Sequence, residues 1–204
     1  MTTILYSGSM YSNKTKKLLE RAEISELRKR KYKIFYPQIC ANGEENSIFS
    51  RSGVRHDAVP IQTVLDIYSY IDGLQDIYID EIQFLNLNEC DAENYAVEDF
   101  IKLIEYCEIH KINLYLSGLD LDFTGNAFLI TKEVMPYCDK IEKLSAVCMI
   151  CFNETARRSL RLKNGVPSSF DEEILIERHN VEYRYIPVCT SCFHTETKKV
   201  KKGE

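Results

Sequence analysis

Short apolar runs alternate along this chain with longer stretches that are apolar on one side only. Ile4-Leu5-Tyr6 reads as a buried strand. Residues 16–31 contain neither Pro nor Gly and read as a helix, with Leu18, Leu19, Ala22 and Leu27 as its buried stripe. Residues 33–40 predict a second strand, in which Pro37 marks an edge or a late bend. The polar stretch 41–53 is loop-like and ends in Ser50-Arg51-Ser52-Gly53, a candidate mobile arginine loop near phosphates. A helix over 61–70 and a strand over 76–84 follow. Residues 92–111 predict a helix with Val97, Phe100, Ile101, Ile104 and Ile109 on one side, and 113–119 another strand. Strands alternating with helices give an α/β fold, a parallel sheet in three layers. Ligands then sit beyond the carboxyl ends of the strands.

The junction after the first strand carries chemistry. Gly8-Ser9-Met10-Tyr11-Ser12-Asn13-Lys14-Thr15 lies between a strand and a helix, the order of a phosphate-binding P-loop. Backbone N–H groups of such a loop converge on phosphate oxygens, the lysine reaches the outer phosphates, and the hydroxyl after it can ligate Mg²⁺. Asn13 stands where the pattern has its second glycine, and Asn tolerates the positive φ needed there. The bland alternative is a strand followed by a helix with Lys14 as a surface charge.

A second signal ends the 76–84 strand, where Asp80-Glu81 follows Asp76-Ile77-Tyr78-Ile79. An acidic residue at the end of a neighbouring strand meets Mg²⁺ in P-loop proteins. Its neighbour points the other way and can serve as a base toward a hydroxyl. The 113–119 strand runs into Asp120 and Asp122, which are either ligands or turn formers. Arg55-His56-Asp57 has no nucleophile beside it and reads as loop polarity.

The chain has 204 residues, 45% of them hydrophobic, enough for one domain or two small ones. No run approaches the roughly 20 apolar residues of a membrane span, and the N-terminus carries no signal peptide pattern, so a cytoplasmic, membrane-free protein is expected. A net charge of −5 argues against broad nucleic-acid binding, and the lysines of 198–202 read as a disordered basic tail over 196–204.

Four of the eight cysteines form Cys148-x-x-Cys151 and Cys189-x-x-Cys192, separated by 37 residues. Two such pairs in a cytosolic chain predict a structural Zn²⁺ held by four thiolates. The insertion between them reads as a flexible flap pinned at its base by the metal. Cys40, Cys90, Cys107 and Cys138 read as buried small residues. The domains are then 1–146 for the α/β unit and 147–195 for a small C-terminal zinc ribbon with its flap.

Taken in order, the P-loop with Met at its third position, Asp80-Glu81-Ile82-Gln83-Phe84, the turn Leu119-Asp120-x-x-Phe123 and the paired C-x-x-C motifs resemble the type II thymidine kinase family. The resemblance runs from about Ile4 to Phe193. It implies ATP as phosphoryl donor, Mg²⁺, a nucleoside acceptor and a homotetramer. It implies that Gly8, Ser9, Met10, Tyr11, Ser12, Asn13, Lys14, Thr15, Asp80 and Gln83 hold the nucleotide and its metal, with Glu81 as general base on the nucleoside 5′-hydroxyl. Met10, Phe84, Leu119, Phe123 and Phe128 would wall the base pocket, and the flap would act as a lasso over the base, with Tyr185 helping to anchor the nucleoside. The sequence departs from the family at Asn13, in Leu121-Asp122-Phe123-Thr124-Gly125, where the turn's usual arginine is missing, and in Cys189-Thr190-Ser191-Cys192. Another deoxynucleoside as substrate, or a catalytically weakened nucleotide-binding or zinc-ribbon interaction protein, are the alternatives.

Overall fold

The computed structural model describes residues 1–41, 46–49, 55–85, 92–172 and 182–201. The strands are β1 (Thr3–Gly8), β2 (Tyr32–Pro37), β3 (Ser47–Phe49), β4 (Arg55–Asp57), β5 (Val59–Ile61), β6 (Asp76–Ile79), β7 (Asn113–Gly118), β8 (Lys140–Leu144), β9 (Arg158–Lys163), β10 (Val166–Pro167) and β11 (Tyr183–Val188). The α-helices are α1 (Lys14–Leu27), α2 (Ala92–His110), α3 (Leu129–Val134) and α4 (Thr190–Lys201). Six strands form one parallel sheet in the order β5-β2-β6-β7-β1-β8. The strands that end at Gly8, Ile79 and Gly118 are therefore adjacent in its middle.

Strand side chains alternate between the two faces, and each face has its own core. Leu5, Phe35, Ile77, Ile79, Leu114 and Leu116 pack under α2 and α3, against Phe100, Leu103, Ile104, Ile130 and Val134. The opposite face carries Tyr6, Ile34, Tyr36, Tyr78 and Tyr115 under Leu18, Leu19 and Ala22 of α1. The hydroxyls of Tyr78 and Tyr115 find partners. Tyr78 stacks on Tyr115 at 4.7 Å, Arg21 donates to the Tyr115 hydroxyl at 2.9 Å, and the Tyr78 hydroxyl donates to the Arg21 carbonyl. Asp76, at the foot of β6, accepts from Ser25, Asn113 and both ends of the Arg30 guanidinium fork.

Several elements differ from the sequence expectations. The α1 helix stops at Leu27, which is 83% exposed, and Lys29 leaves it with φ 54°. In α2, Ile109 is 76% exposed, and Ala96 and Leu103 complete the buried stripe instead. Residues 61–70 form no α-helix: Ile61 closes β5, and Val64–Ser69 make a 3₁₀ helix with a Thr63–Asp66 capping box. Pro37 ends β2 between two neighbours rather than on a sheet edge, as the last residue before a 3₁₀ turn at Gln38–Cys40. His56 lies in a β3–β4 hairpin facing Glu23 at 3.7 Å. Ser50-Arg51-Ser52-Gly53 and Cys90 lie outside the described residues.

The C-terminal part holds more regular structure than a flap. Its described residues make a three-stranded antiparallel sheet, β10-β9-β11, over a core of Cys148, Ala156, Leu160, Ile186, Val188 and Phe193. Asn164-Gly165, at φ 50° and 83°, make the two-residue turn between β9 and β10. The α4 helix runs through Lys201, over most of the stretch read as a disordered tail.

Candidate functional site

The phosphate loop is shaped by two left-handed residues and one close approach. Tyr11 and Asn13 sit at φ 64° and 65°, so the asparagine takes the backbone conformation that the missing glycine adopts freely. Gly8 admits no side chain: a Cβ there would lie 2.4 Å from the Leu144 carbonyl oxygen of the neighbouring strand. Inside the loop, the Ser9 carbonyl accepts from Lys14 Nζ at 2.9 Å and from Ser12 Oγ at 2.8 Å. Lys14 is 6% exposed, a buried ammonium at the start of α1 rather than a surface charge.

Thr15 and Asp80 meet across the β1–β7–β6 rim. Thr15 Oγ1 donates to Asp80 Oδ2 at 2.9 Å, and Ser117 Oγ, at the end of β7, donates to Asp80 Oδ1. Asp80 is buried. Burial first, and then the neighbouring charge of Glu81, push its carboxyl up to about 6, against the pull of Ser117, Thr15 and Lys14. A cation beside this pair would favour the ionised form. The donor set, a threonine hydroxyl backed by a carboxylate at the foot of a phosphate loop, suits hard, oxygen-seeking Mg²⁺.

Glu81 follows in the left-handed region, at φ 50°, and it remains half-buried. Gln83 is 2% exposed and both ends of its amide are occupied within the protein. Its nitrogen donates to Glu81 Oε2 and its oxygen accepts from the Leu119 N–H at 2.8 Å. The amide thus ties the carboxylate to the end of β7.

Beside Glu81, Phe84, Leu119 and Phe128 form a small apolar cluster with Met10, Ile39 and Cys40 packed against it. The Phe84 and Phe128 rings meet edge to face at 5.9 Å. Four of the six expected pocket residues are therefore together. The other two lie toward the C-terminal sheet: Phe123 stacks under the Arg161 guanidinium at 3.6 Å, and Tyr185 stands opposite Arg161 in the β9–β11 ladder. Asp122 is a turn former, its Oδ1 accepting from the N–H groups of Thr124, Gly125 and Asn126. Asp120 is 5% exposed and pairs with Lys143 at 2.9 Å.

Sequence reasoning missed Ile39, Ser117, Lys143, Ser159 and Arg161. Only Arg161 left a signal. In Arg158-Ser159-Leu160-Arg161-Leu162 the polar residues alternate with leucines, the mark of a strand with one polar face. That face normally meets water; here Arg161 is fully buried, and its Nη2 pairs with Glu172 at 3.0 Å.

The sulfur atoms of Cys148, Cys151, Cys189 and Cys192 all lie within 4.8 Å of one another. Cys151 Sγ and Cys189 Sγ are 3.8 Å apart, the edge of a tetrahedron with metal–sulfur bonds of about 2.3 Å. Burial raises the Cys148 thiol, but backbone N–H groups of Cys151, Cys189 and Ile150 outweigh it and bring the pKa to about 6. Four thiolates in this arrangement suit zinc. Cys107 and Cys138, in contrast, are pushed by burial up to about 12 and about 11, which makes them inert packing residues.

No helix among the described residues is long and apolar enough to cross a membrane. Compared with protein families, residues 1–193 match the model described as thymidine kinase. That match covers the phosphate loop, the acidic strand end, the aromatic turn and both cysteine pairs. The chain belongs to the thymidine kinase family, and with it to the nucleoside kinases.

Proposed function

We propose that the protein transfers the γ-phosphoryl group of ATP to the 5′-hydroxyl of thymidine, giving thymidine monophosphate. The observation that carries this reading is the meeting of three adjacent strand ends. Lys14 bonds the Ser9 carbonyl, Thr15 bonds Asp80 next to Glu81 in the chain, and Gln83 links Glu81 to Leu119 of the Met10, Phe84, Leu119 and Phe128 cluster. Phosphoryl transfer needs positioning and charge neutralisation more than covalent help.

Each residue then has a defined task. The N–H groups of the loop and of the first turn of α1 bind the phosphate chain, and Lys14 moves its ammonium from the Ser9 carbonyl to the outer phosphates. Thr15, backed by Asp80, would hold Mg²⁺, which neutralises charge on the phosphate oxygens. Glu81 takes the proton of the 5′-hydroxyl as the oxygen attacks, and Gln83 fixes its direction. The apolar cluster receives the base. Zinc on the four thiolates would hold the C-terminal sheet against the site. The family resemblance also supports a homotetramer in the cytoplasm.

The test is Glu81→Gln. Loss of a general base costs about 10²–10⁴ in kcat; the expected result is a loss in that range with nucleoside KM changed little. Unchanged turnover would remove Glu81 from the mechanism. A second reading, another deoxynucleoside as acceptor, is favoured by the turn itself. Asp122 closes it without the family's arginine, and Arg158 from β9 donates to the Gly125 carbonyl at 3.4 Å.

A further inference from the structure

Two hydrogen bonds, one buried and one partly buried, join the phosphate loop to β9 and the residues just before it. Ser9 Oγ donates to the Ala156 carbonyl at 3.2 Å, and the Met10 N–H donates to Ser159 Oγ at 3.0 Å. Ser9 is 1% exposed and Ser159 3%, so the serine side of each bond is shielded from water. Ser9 is also the residue whose carbonyl carries Lys14 and Ser12, so the sheet grips the loop at its own hydrogen-bonding centre.

The gripping segment is itself fixed from both cysteine pairs. Ala156 exchanges two backbone hydrogen bonds with Ala146, two residues before Cys148. The Arg157 N–H donates to the Val188 carbonyl, one residue before Cys189. The Met149 N–H donates to the Pro187 carbonyl and links the two cysteine arms directly. A change in the spacing of the two arms therefore moves the Ala156 carbonyl and Ser159 Oγ, and with them Ser9 and Met10.

We propose that Ser159, with Ser9, is a positioning residue that couples the four-cysteine metal site to the phosphate loop, so that zinc retention and nucleotide binding strengthen each other. The inference rests on the zinc and nucleotide assignments above. It gives the metal a role beyond anchoring a flap. Linkage makes the coupling reciprocal: whatever zinc adds to nucleotide affinity, nucleotide adds to zinc affinity.

Reciprocity supplies a readout other than activity. Zinc release from the zinc-loaded protein into a zinc-selective chromophoric chelator is timed with and without a non-hydrolysable ATP analogue and Mg²⁺. Binding of the analogue is measured by calorimetry on the same preparation. The analogue is expected to slow zinc release by about 3- to 10-fold, the scale of one or two net hydrogen bonds. Ser159→Ala should retain one zinc per chain and lose most of that protection, with Ser159→Thr restoring it; Ser9→Ala should act in the same direction. If the analogue binds and wild-type zinc release is unchanged, the coupling is overturned and the nucleotide site stands. If the analogue does not bind, the nucleotide assignment falls and the coupling with it. Protection that survives both alanine substitutions would overturn the role given to these serines. Should Ser159→Ala fail to fold, the wild-type comparison and Ser9→Ala decide the matter.

Discussion

Asn13 shows how one residue can depart from a motif and keep its geometry. The loop needs a left-handed backbone at that position, and asparagine is among the few residues other than glycine that enter it at small cost. Alanine is not among them. Asn13→Ala should destabilise the protein by about 1 kcal/mol, whereas Asn13→Gly should fall within about 0.5 kcal/mol of wild type; thermal denaturation distinguishes the two. Residue-scale chemistry was legible where the motif is local: Lys14, Thr15, Asp80 and Glu81 were named from spacing alone, and the fold brings them to one rim. Gln83 was not legible in the same way. Its task depends on the Leu119 N–H, 36 residues on, and no local pattern announces which side chain a strand end will receive.

Among the elements, β6 carries its buried carboxylates at opposite ends, and they behave differently. Burial alone would raise Asp76, but hydrogen bonds from Arg30, Ser25 and Asn113 hold it below the usual carboxylate range. Its folded pKa is therefore depressed. The stability it contributes is present above the ordinary carboxylate pKa and is lost as pH falls through the lowered value. Asp76→Asn should cost about 2–4 kcal/mol at neutral pH. The gap in melting temperature between variant and wild type should close as acid protonates the wild-type residue. A gap of constant size down to pH 3 would show that the charge on Asp76 contributes nothing. The central strands β1, β6 and β7 were legible because each is an apolar run ending in motif residues. Edge strand β8, Lys-Ile-Glu-Lys-Leu, was not: it is largely exposed and has no apolar run to betray it. The β9–β10 turn carried a usable signal in Asn164-Gly165, but Pro167 and the surrounding charges suggest a loop.

At the scale of the whole molecule, the α/β unit and the cysteine-bearing sheet share buried groups. Phe123 from the β7–α3 connection lies under the Arg161 guanidinium, which pairs with Glu172, while Ser9 bonds the Ala156 carbonyl just before β9 and Met10 bonds Ser159 within it. The C-terminal part of the chain therefore packs against both the β1–α1 loop and the turn after β7. Arg161→Ala removes a buried cation–aromatic contact and leaves Glu172 without this partner; it should cost about 2–4 kcal/mol, measured by denaturant unfolding. A loss below about 0.5 kcal/mol, the range of an ordinary surface substitution, would show that the two parts are not held together there. This junction was illegible because it joins segments far apart in sequence, and the polar face of β9 looks like a solvent face until its partner is in place.

The most direct test of nucleoside phosphorylation at this rim is an assay of ATP-dependent phosphoryl transfer to a panel of nucleosides, with zinc quantified on the same sample. Conversion of thymidine to its 5′-monophosphate, by protein carrying about one zinc per chain, is the expected result. Turnover of a different nucleoside in preference would keep the mechanism and reassign the substrate to the altered turn around Asp122. Folded, zinc-loaded protein that phosphorylates no nucleoside would contradict the account.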